Sequence, residues 1–436
     1  MRVRLETLGC RLNIGEVESM ARELAAAGHR VVGPGEAADL CILNTCTVTA
    51  VAAKKSRHLL RQLKRDNPGA RLVVTGCWSE LEPGRAEATG ADLVIGNEAK
   101  DRLVEILAAR GLLEPGDPVE SPEASPIAPS RHTRAFVKVQ DGCDNRCAYC
   151  IVTVARGAGR SVPADTVVAE IQRLVAAGFR EAVLSGVHLG SWGHDLEPRR
   201  ALPHLVRRIL EETPLERLRL SSLEPWDLDE GFFELLAEPR LQPHLHLPLQ
   251  SGCDATLRRM ARKTTTREFA ALVEAARAAH PEVSITTDVM AGFPGETDAH
   301  FEESLAFVEQ MAFARLHVFR FSPRPGTPAA TMPGQVPGAV AAERSRRLHE
   351  LGARLERAYQ SRFLGRTLQV LWEEAEPHGH ALQHTGLTPN YLRVLTHTAP
   401  EVQLANTVTP ARLIETVPGG IVAEVVAAPA RPDRET

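Results

Sequence analysis

Cys143-Asp144-Asn145-Arg146-Cys147-Ala148-Tyr149-Cys150 sets three thiols at C-x3-C-x2-C spacing, in a turn that follows the apolar run 135–139. Three soft thiolates on so short a loop can ligate a metal centre but leave its coordination incomplete. Structural zinc normally takes four protein ligands in two close pairs, and no second pair of cysteines or histidines follows at a suitable interval. A disulfide is the other plain reading of cysteines this close. A [4Fe–4S] cube held by three thiolates keeps one iron free for a ligand that is not protein.

The spacing resembles that of the radical S-adenosylmethionine (SAM) enzymes. The resemblance implies a [4Fe–4S] cluster on Cys143, Cys147 and Cys150 whose free iron chelates the amino and carboxylate groups of SAM. Reduction of that cluster then splits SAM into methionine and a 5′-deoxyadenosyl radical.

From Ala135 onward six strand-like runs alternate with helical ones, at 136–139, 182–184, 218–221, 245–247, 283–287 and 316–319. Six βα units predict a partial TIM-like (β/α)6 barrel, with its chemistry at the carboxyl ends of the strands. Those ends carry the cysteine loop, then Ser185-Gly186, Glu224, Gln250 and the segment 288–292. Gly292-Phe293-Pro294-Gly295 opens a helix, and a glycine turn there can approach a nucleotide or cradle an anion; alone the pattern is weak. The resemblance implies SAM contacts at Ser185, Gly186, Glu224, Gln250, Asp288 and Gly292, with Asp288 and Gly292 on the adenine side. Cys253 has no neighbouring cysteine and reads as packing. His188 and His194 flank a glycine-bounded turn and read as substrate contacts or surface residues rather than ligands.

Residues 1–113 alternate short β-branched runs (3–8, 40–44, 72–75, 93–95) with amphipathic stretches such as 17–27 and 54–64. That order predicts a parallel sheet with helices on its faces. Cys10, Cys46 and Cys77 fall just after the first three runs. In an open parallel sheet those ends share one edge and neighbouring strands lie about 4.8 Å apart, so thiols distant in sequence can converge. Cysteines in strands are also common as buried small hydrophobes, and the pattern alone leaves both readings open. Cys41, inside an apolar run, reads as core.

Thr7-Leu8-Gly9-Cys10-Arg11-Leu12-Asn13 with Glu16, Asn44-Thr45-Cys46-Thr47-Val48-Thr49 and Thr75-Gly76-Cys77 resemble the amino-terminal module of the methylthiotransferases. In that family the three cysteines hold an auxiliary [4Fe–4S] cluster, whose free iron is where the inserted sulfur is carried and methylated. The resemblance covers nearly the whole chain. These wordings, with Ser322-Pro323-Arg324-Pro325-Gly326-Thr327-Pro328, look most like the branch that acts on threonylcarbamoyladenosine beside the anticodon, at carbon 2. The branches acting on isopentenyladenosine in tRNA, or on an aspartate of a ribosomal protein, are the alternatives. A rival of another class is a non-catalytic iron–sulfur protein that binds RNA or senses redox state.

Lys54, Arg57, Arg61, Lys64 and Arg65 recur at helical spacing opposite Leu59, Leu60 and Leu63. Such a stripe is either a plain solvated face or a phosphate-contacting surface. Residues 114–132 hold five prolines, Pro115, Pro118, Pro122, Pro126 and Pro129, and read as a linker to a radical SAM domain spanning 133–362. Near the end of that domain a helix carries Leu348, Leu351 and Leu355 on one side, with Arg344, Arg347 and Arg354 expected to be exposed.

Residues 363–428 turn to short strands and resemble the TRAM domain, a small β-barrel that binds RNA. Between Arg366 and Val426 there are three basic residues against six acidic ones, so bulk charge does not recommend this module to phosphates. RNA contact would then run through a few arginines and stacking on Trp372 or Tyr391.

The fold class is therefore α/β, with a small β-barrel last. Net charge is only −4 over 436 residues, and no apolar run reaches the length of a membrane span. Eight cysteines used as thiols or ligands suit a reducing cytoplasm. The implied partners are the anticodon stem-loop of a tRNA, an electron donor and a sulfur donor, with neither DNA nor membrane expected.

Overall fold

The computed structural model describes residues 1–114 and 133–426. The linker prolines lie outside the described residues, as do the last residues of the expected carboxyl-terminal barrel. Among the described residues no helix is long and apolar enough to cross a membrane.

The amino-terminal sheet is parallel, with strands β1 (Arg2–Thr7), β2 (Arg30–Val32), β3 (Leu40–Thr45), β4 (Arg71–Gly76) and β5 (Leu93–Ile95) in the order β2-β1-β3-β4-β5. Every residue of β3 is buried, as expected of a central parallel strand covered on both faces. Cys41 lies in the core with Leu43, Leu60 and Trp78. Helix α1 (Arg11–Ala26) starts earlier than the apolar spacing predicts, because Cys10 is extended and caps it directly. Helix α2 (Ala50–Asp66) is capped by Thr49, whose Oγ1 accepts from the Ala52 amide at 3.1 Å.

The central unit is six parallel strands. β6 (Arg134–Lys138), β9 (Glu181–Ser185) and β10 (Arg217–Leu220) form one half, β11 (His244–His246), β12 (Ser284–Ala291) and β13 (Arg315–Arg320) the other; the antiparallel pair β7 (Gln140–Asp141) and β8 (Arg160–Ser161) lies between β6 and β9 in sequence. Parallel bridges Leu218 to Leu241 and Ser222 to His246 join the halves, so the sheet curls into a partial barrel. One side of the opening is met by α1, which packs on β6 so tightly that a Cβ on Gly15 would come 2.5 Å from the Phe136 carbonyl oxygen.

Helix Gly338–Ser361 packs along β13. Its Leu348 and Leu351 are buried, as expected, but so is Arg344, which bonds Glu296 and Asp298 at 2.7 Å each. A buried cation is tolerated here because two carboxylates meet it.

The last strands, β14 (Thr367–His378), β15 (Ala381–Leu387), β16 (Arg393–Thr398), β17 (Val408–Val417) and β18 (Gly420–Val425), close into a barrel in the order β14-β15-β16-β18-β17. Neither aromatic proposed for stacking on RNA is free to do so. Trp372 fills the barrel core and donates to Thr409 Oγ1 at 2.8 Å. Tyr391 is not in a strand at all; at φ +67° it leaves the barrel and packs against the central unit.

Candidate functional site

Cys10, Cys46 and Cys77 follow β1, β3 and β4, three adjacent strands of one sheet. Cys77 opens helix α3 (Cys77–Leu81). Cys46 and Cys77 are buried and Cys10 is exposed. Ser56 of α2 fixes Cys46 from both sides, accepting from its amide at 3.2 Å and donating to its carbonyl at 2.9 Å. Two glycines hold the chain out of the way: a Cβ on Gly9 would lie 2.9 Å from Cys46 Cβ, and one on Gly76 only 2.4 Å from the Thr45 carbonyl oxygen. Burial pushes the Cys46 thiol up to about 11, helped by its neighbours Cys10 and Cys77. That burial disfavours a bare Cys46 thiolate, and a metal cluster would supply the missing positive charge. The donor set fits a cluster with one open corner.

The second loop repeats the arrangement after β7. The Cys143 amide donates to the Gly157 carbonyl and the Cys150 amide to the Cys147 carbonyl, both at 3.0 Å. Gly142, at φ +69°, crosses so near the Ala158 carbonyl that no Cβ fits. Burial pushes Cys150 up to about 11, and Cys147 and Cys143 add to the shift. Arg262 lies 3.7 Å from Cys147 Sγ, pairs with Glu224 at 2.7 Å and stacks on Trp226. This set also fits a three-thiolate cluster.

What joins the two cysteine sets is a buried ionic network. Arg156, six residues beyond Cys150, bonds Asn13 Oδ1 and Glu16 Oε1 at 2.9 Å each, and Asp141 as well. Glu16 also meets Lys100 at 2.9 Å and Asn44 at 2.9 Å. Burial alone would raise the Glu16 pKa, but Lys100 and Arg156 outweigh it and hold the carboxyl well below the usual range. Helix α3 packs beside the turn Val152–Arg156, and Asn97 donates to the Ala155 carbonyl at 2.7 Å. The cysteine edges of the two units thus face a common interface.

The remaining residues singled out in the sequence sit at different depths. Glu224 is brought to the cysteine loop through Arg262. Gly186 and Ser185 adjoin Gln140, whose side chain bonds the Gly142 carbonyl and the His188 amide at 2.8 Å. Gln250, at φ +74°, bridges to Val289 of β12. Gly292 packs closely on helix Gly338–Ser361, where a Cβ would lie 2.6 Å from Ala341 Cβ. Cys253 is buried with its thiol against Glu303. His188 is not at the surface: it bonds Asp227 at 2.6 Å and approaches Asn145. Burial opposes its charge, but Asp227 and Cys143 outweigh that and raise it to about 10.

Arg156, Lys100 and Asp227 escaped the sequence reading. One signal was available: Asn13 and Glu16 share the buried face of α1 with Leu12, Met20 and Leu24, and polar groups on an apolar face need partners across an interface.

Comparison with known proteins agrees with this architecture. Residues 137–308 match the model of the Radical SAM superfamily, and residues 2–96 that of the uncharacterized protein family UPF0004. A radical SAM methyltransferase, TsrM from Kitasatospora setae, solved with cobalamin and a [4Fe–4S] cluster, shares the fold with TM-score 0.58 at 17% identity, over 76% of this chain and 74% of that one. The chain is thus a radical SAM enzyme with a second module ahead of its barrel.

Full-length relatives narrow the class. Threonylcarbamoyladenosine tRNA methylthiotransferase MtaB of Thermotoga maritima is 40% identical over 85% of this chain and 86% of its own length. The tRNA-2-methylthio-N(6)-dimethylallyladenosine synthase of Novosphingobium aromaticivorans is 36% identical over 96% of each. The chain belongs to the radical SAM methylthiotransferase family.

Proposed function

We propose that this enzyme inserts a methylthio group at carbon 2 of threonylcarbamoyladenosine next to the anticodon of a tRNA, using two [4Fe–4S] clusters and SAM. The observation that carries the reading is the network from Arg156 to Asn13 and Glu16, which ties the unit bearing Cys10, Cys46 and Cys77 to the one bearing the Cys143–Cys150 loop. In this reading Cys10, Cys46 and Cys77 hold one cluster, and Cys143, Cys147 and Cys150 the other. With SAM and reducing equivalents, the second site supplies a 5′-deoxyadenosyl radical.

The chain's own contribution is placement. A primary radical attacks whatever C–H or carbon is adjacent, so the target base must be held still and water kept out. Ser185, Gly186, Glu224 and Gln250, at the carboxyl ends of successive strands, are the proposed SAM contacts, with Arg262 fixing Glu224 beside Cys147. Cys10, the exposed member of its set, is the one a substrate could approach in this reading. An electron donor and a sulfur donor are required as partners.

The threonylcarbamoyl branch is supported by the Thermotoga relative and by the quoted motifs; the Novosphingobium relative supports a dimethylallyl substrate as the second reading. Nucleoside mass spectrometry of tRNA from cells lacking the enzyme separates them. Loss of the methylthio form of threonylcarbamoyladenosine is expected, and loss of the dimethylallyl product alone would overturn the assignment.

A further inference from the structure

Three groups that the proposed chemistry leaves unused converge on the inner face of the partial barrel. His246 ends β11, Asp288 lies in β12, and His317 stands opposite Asp288 in the β12–β13 register. His246 pairs with Thr286, two residues before Asp288 and therefore on the same face of β12. Strand pairing alone brings the three side chains together. His246 Nε2 is 3.2 Å from Asp288 Oδ1, and His317 Nδ1 is 3.3 Å from the same oxygen. All three donor atoms lie within 4.8 Å of one another.

At 3.2 and 3.3 Å the two imidazole contacts to Asp288 are long hydrogen bonds, and they also suit donors gathered about one cation. A charge-assisted N–H···O bond closes to about 2.7–2.9 Å, and this protein makes a shorter one where it joins His188 to Asp227, at 2.6 Å. Donors held about 2.0–2.1 Å from a shared tetrahedral cation stand about 3.3 Å apart. Both contacts to Asp288 match that spacing, at the long end of the hydrogen-bond range. The other nitrogen of His246 is 2.9 Å from Thr286 Oγ1, the outer partner that orients a ligating imidazole. Asp288 and His317 are 21% and 42% exposed at their side chains, so the remaining coordination positions are open to solvent.

We propose that His246 Nε2, Asp288 Oδ1 and His317 Nδ1 form a mononuclear site for a first-row divalent transition-metal ion, separate from the six cluster cysteines. Two imidazoles and one carboxylate suit iron(II), manganese, cobalt or zinc; magnesium and calcium prefer oxygen-only sets. Asp288, which family resemblance links to the adenine side of SAM, has a different task in this assignment.

Cobalt(II) is the probe, added anaerobically to the full chain with its cysteine sites already loaded with iron and sulfur. The parent should retain one equivalent of cobalt through desalting, with a high-spin cobalt resonance whose electron spin echo is modulated by imidazole nitrogen. His317→Gln, at the exposed edge of the set, and Asp288→Asn should each weaken binding at least tenfold with iron content unchanged. Parent protein that retains no more cobalt than His317→Gln, or whose bound cobalt carries no imidazole nitrogen modulation, overturns the site. The spectrum of the parent decides the question even where a variant folds poorly.

Discussion

Gly76 shows how one missing methyl group shapes the amino-terminal site. It ends β4 at φ +95°, directly before Cys77, and a Cβ would fall 2.4 Å from the Thr45 carbonyl and 2.5 Å from Asn44 Oδ1. Gly76→Ala must push β4 from β3 and move the Cys77 thiol, so iron at that site should be lost, about four atoms per chain. Gly35 also has positive φ but nothing within 4 Å; Gly35→Ala should cost about 1–2 kcal/mol of backbone strain and no iron. Equal iron in the two variants would contradict the geometric account. Glu16 makes the complementary point for charge. Glu16→Gln leaves Lys100 and Arg156 buried without their shared carboxylate, and should cost about 3–5 kcal/mol in urea denaturation. The sign with pH follows. A carboxyl held below its ordinary value stabilises the fold above about pH 4.5 and loses that contribution on acidification. The parent should therefore lose more stability than Glu16→Gln as pH falls through the acid range; equal acid sensitivity would remove Glu16 from the network.

At the scale of elements, α2 is the part of the molecule best suited to meet a polyanion. It starts four residues after Cys46, and among the described residues Lys54, Arg57 and Arg61 pair with no carboxylate. Lys64 and Arg65 are partly engaged, with Gly90 and Asp66. If α2 lies along RNA phosphates, the variant K54Q/R57Q/R61Q should lower the slope of log affinity against log salt by about two to three, at about 0.7–0.9 per phosphate contact, without loss of iron. An unchanged slope in a filter-binding titration would return α2 to a plain solvated face. The basic stripe was legible because helical periodicity is local, and so were the alternation of strands and helices and the strand ends that carry cysteine. Long-range pairing was not. Arg344 reads as an exposed helix residue until Glu296 and Asp298 arrive from another loop. Arg219 sits in a strand read from its leucines, yet it is fully buried because Glu181, on the strand before it, accepts its charge at 2.8 Å.

Seen whole, the partial barrel borrows walls from both neighbours. From the amino-terminal side, α1 packs on β6, while Ser322 and Arg324 reach Ala50 and Thr47 beside Cys46. From the carboxyl-terminal barrel, Tyr391 enters with its phenol bonded to Arg11, its ring 4.8 Å from the Arg219 guanidinium and stacked on His244 at 4.2 Å. One tyrosine thus touches all three units, Arg11 being the residue after Cys10. This explains why an acidic module can be retained without meeting RNA through its aromatics: its tyrosine is used to brace the interior. Such a contact cannot be inferred from periodicity, since Arg11, Arg219 and His244 lie at least 147 residues away in the sequence. The central claim is that two separate units each hold a cluster on three cysteines at one interface. Iron counted on anaerobically reconstituted protein tests it most directly. The parent should bind about eight iron atoms per chain, and replacing either Cys10, Cys46 and Cys77 or Cys143, Cys147 and Cys150 by alanine should leave about four. A parent that holds only about four, or a triple variant of either set that keeps about eight, would contradict it.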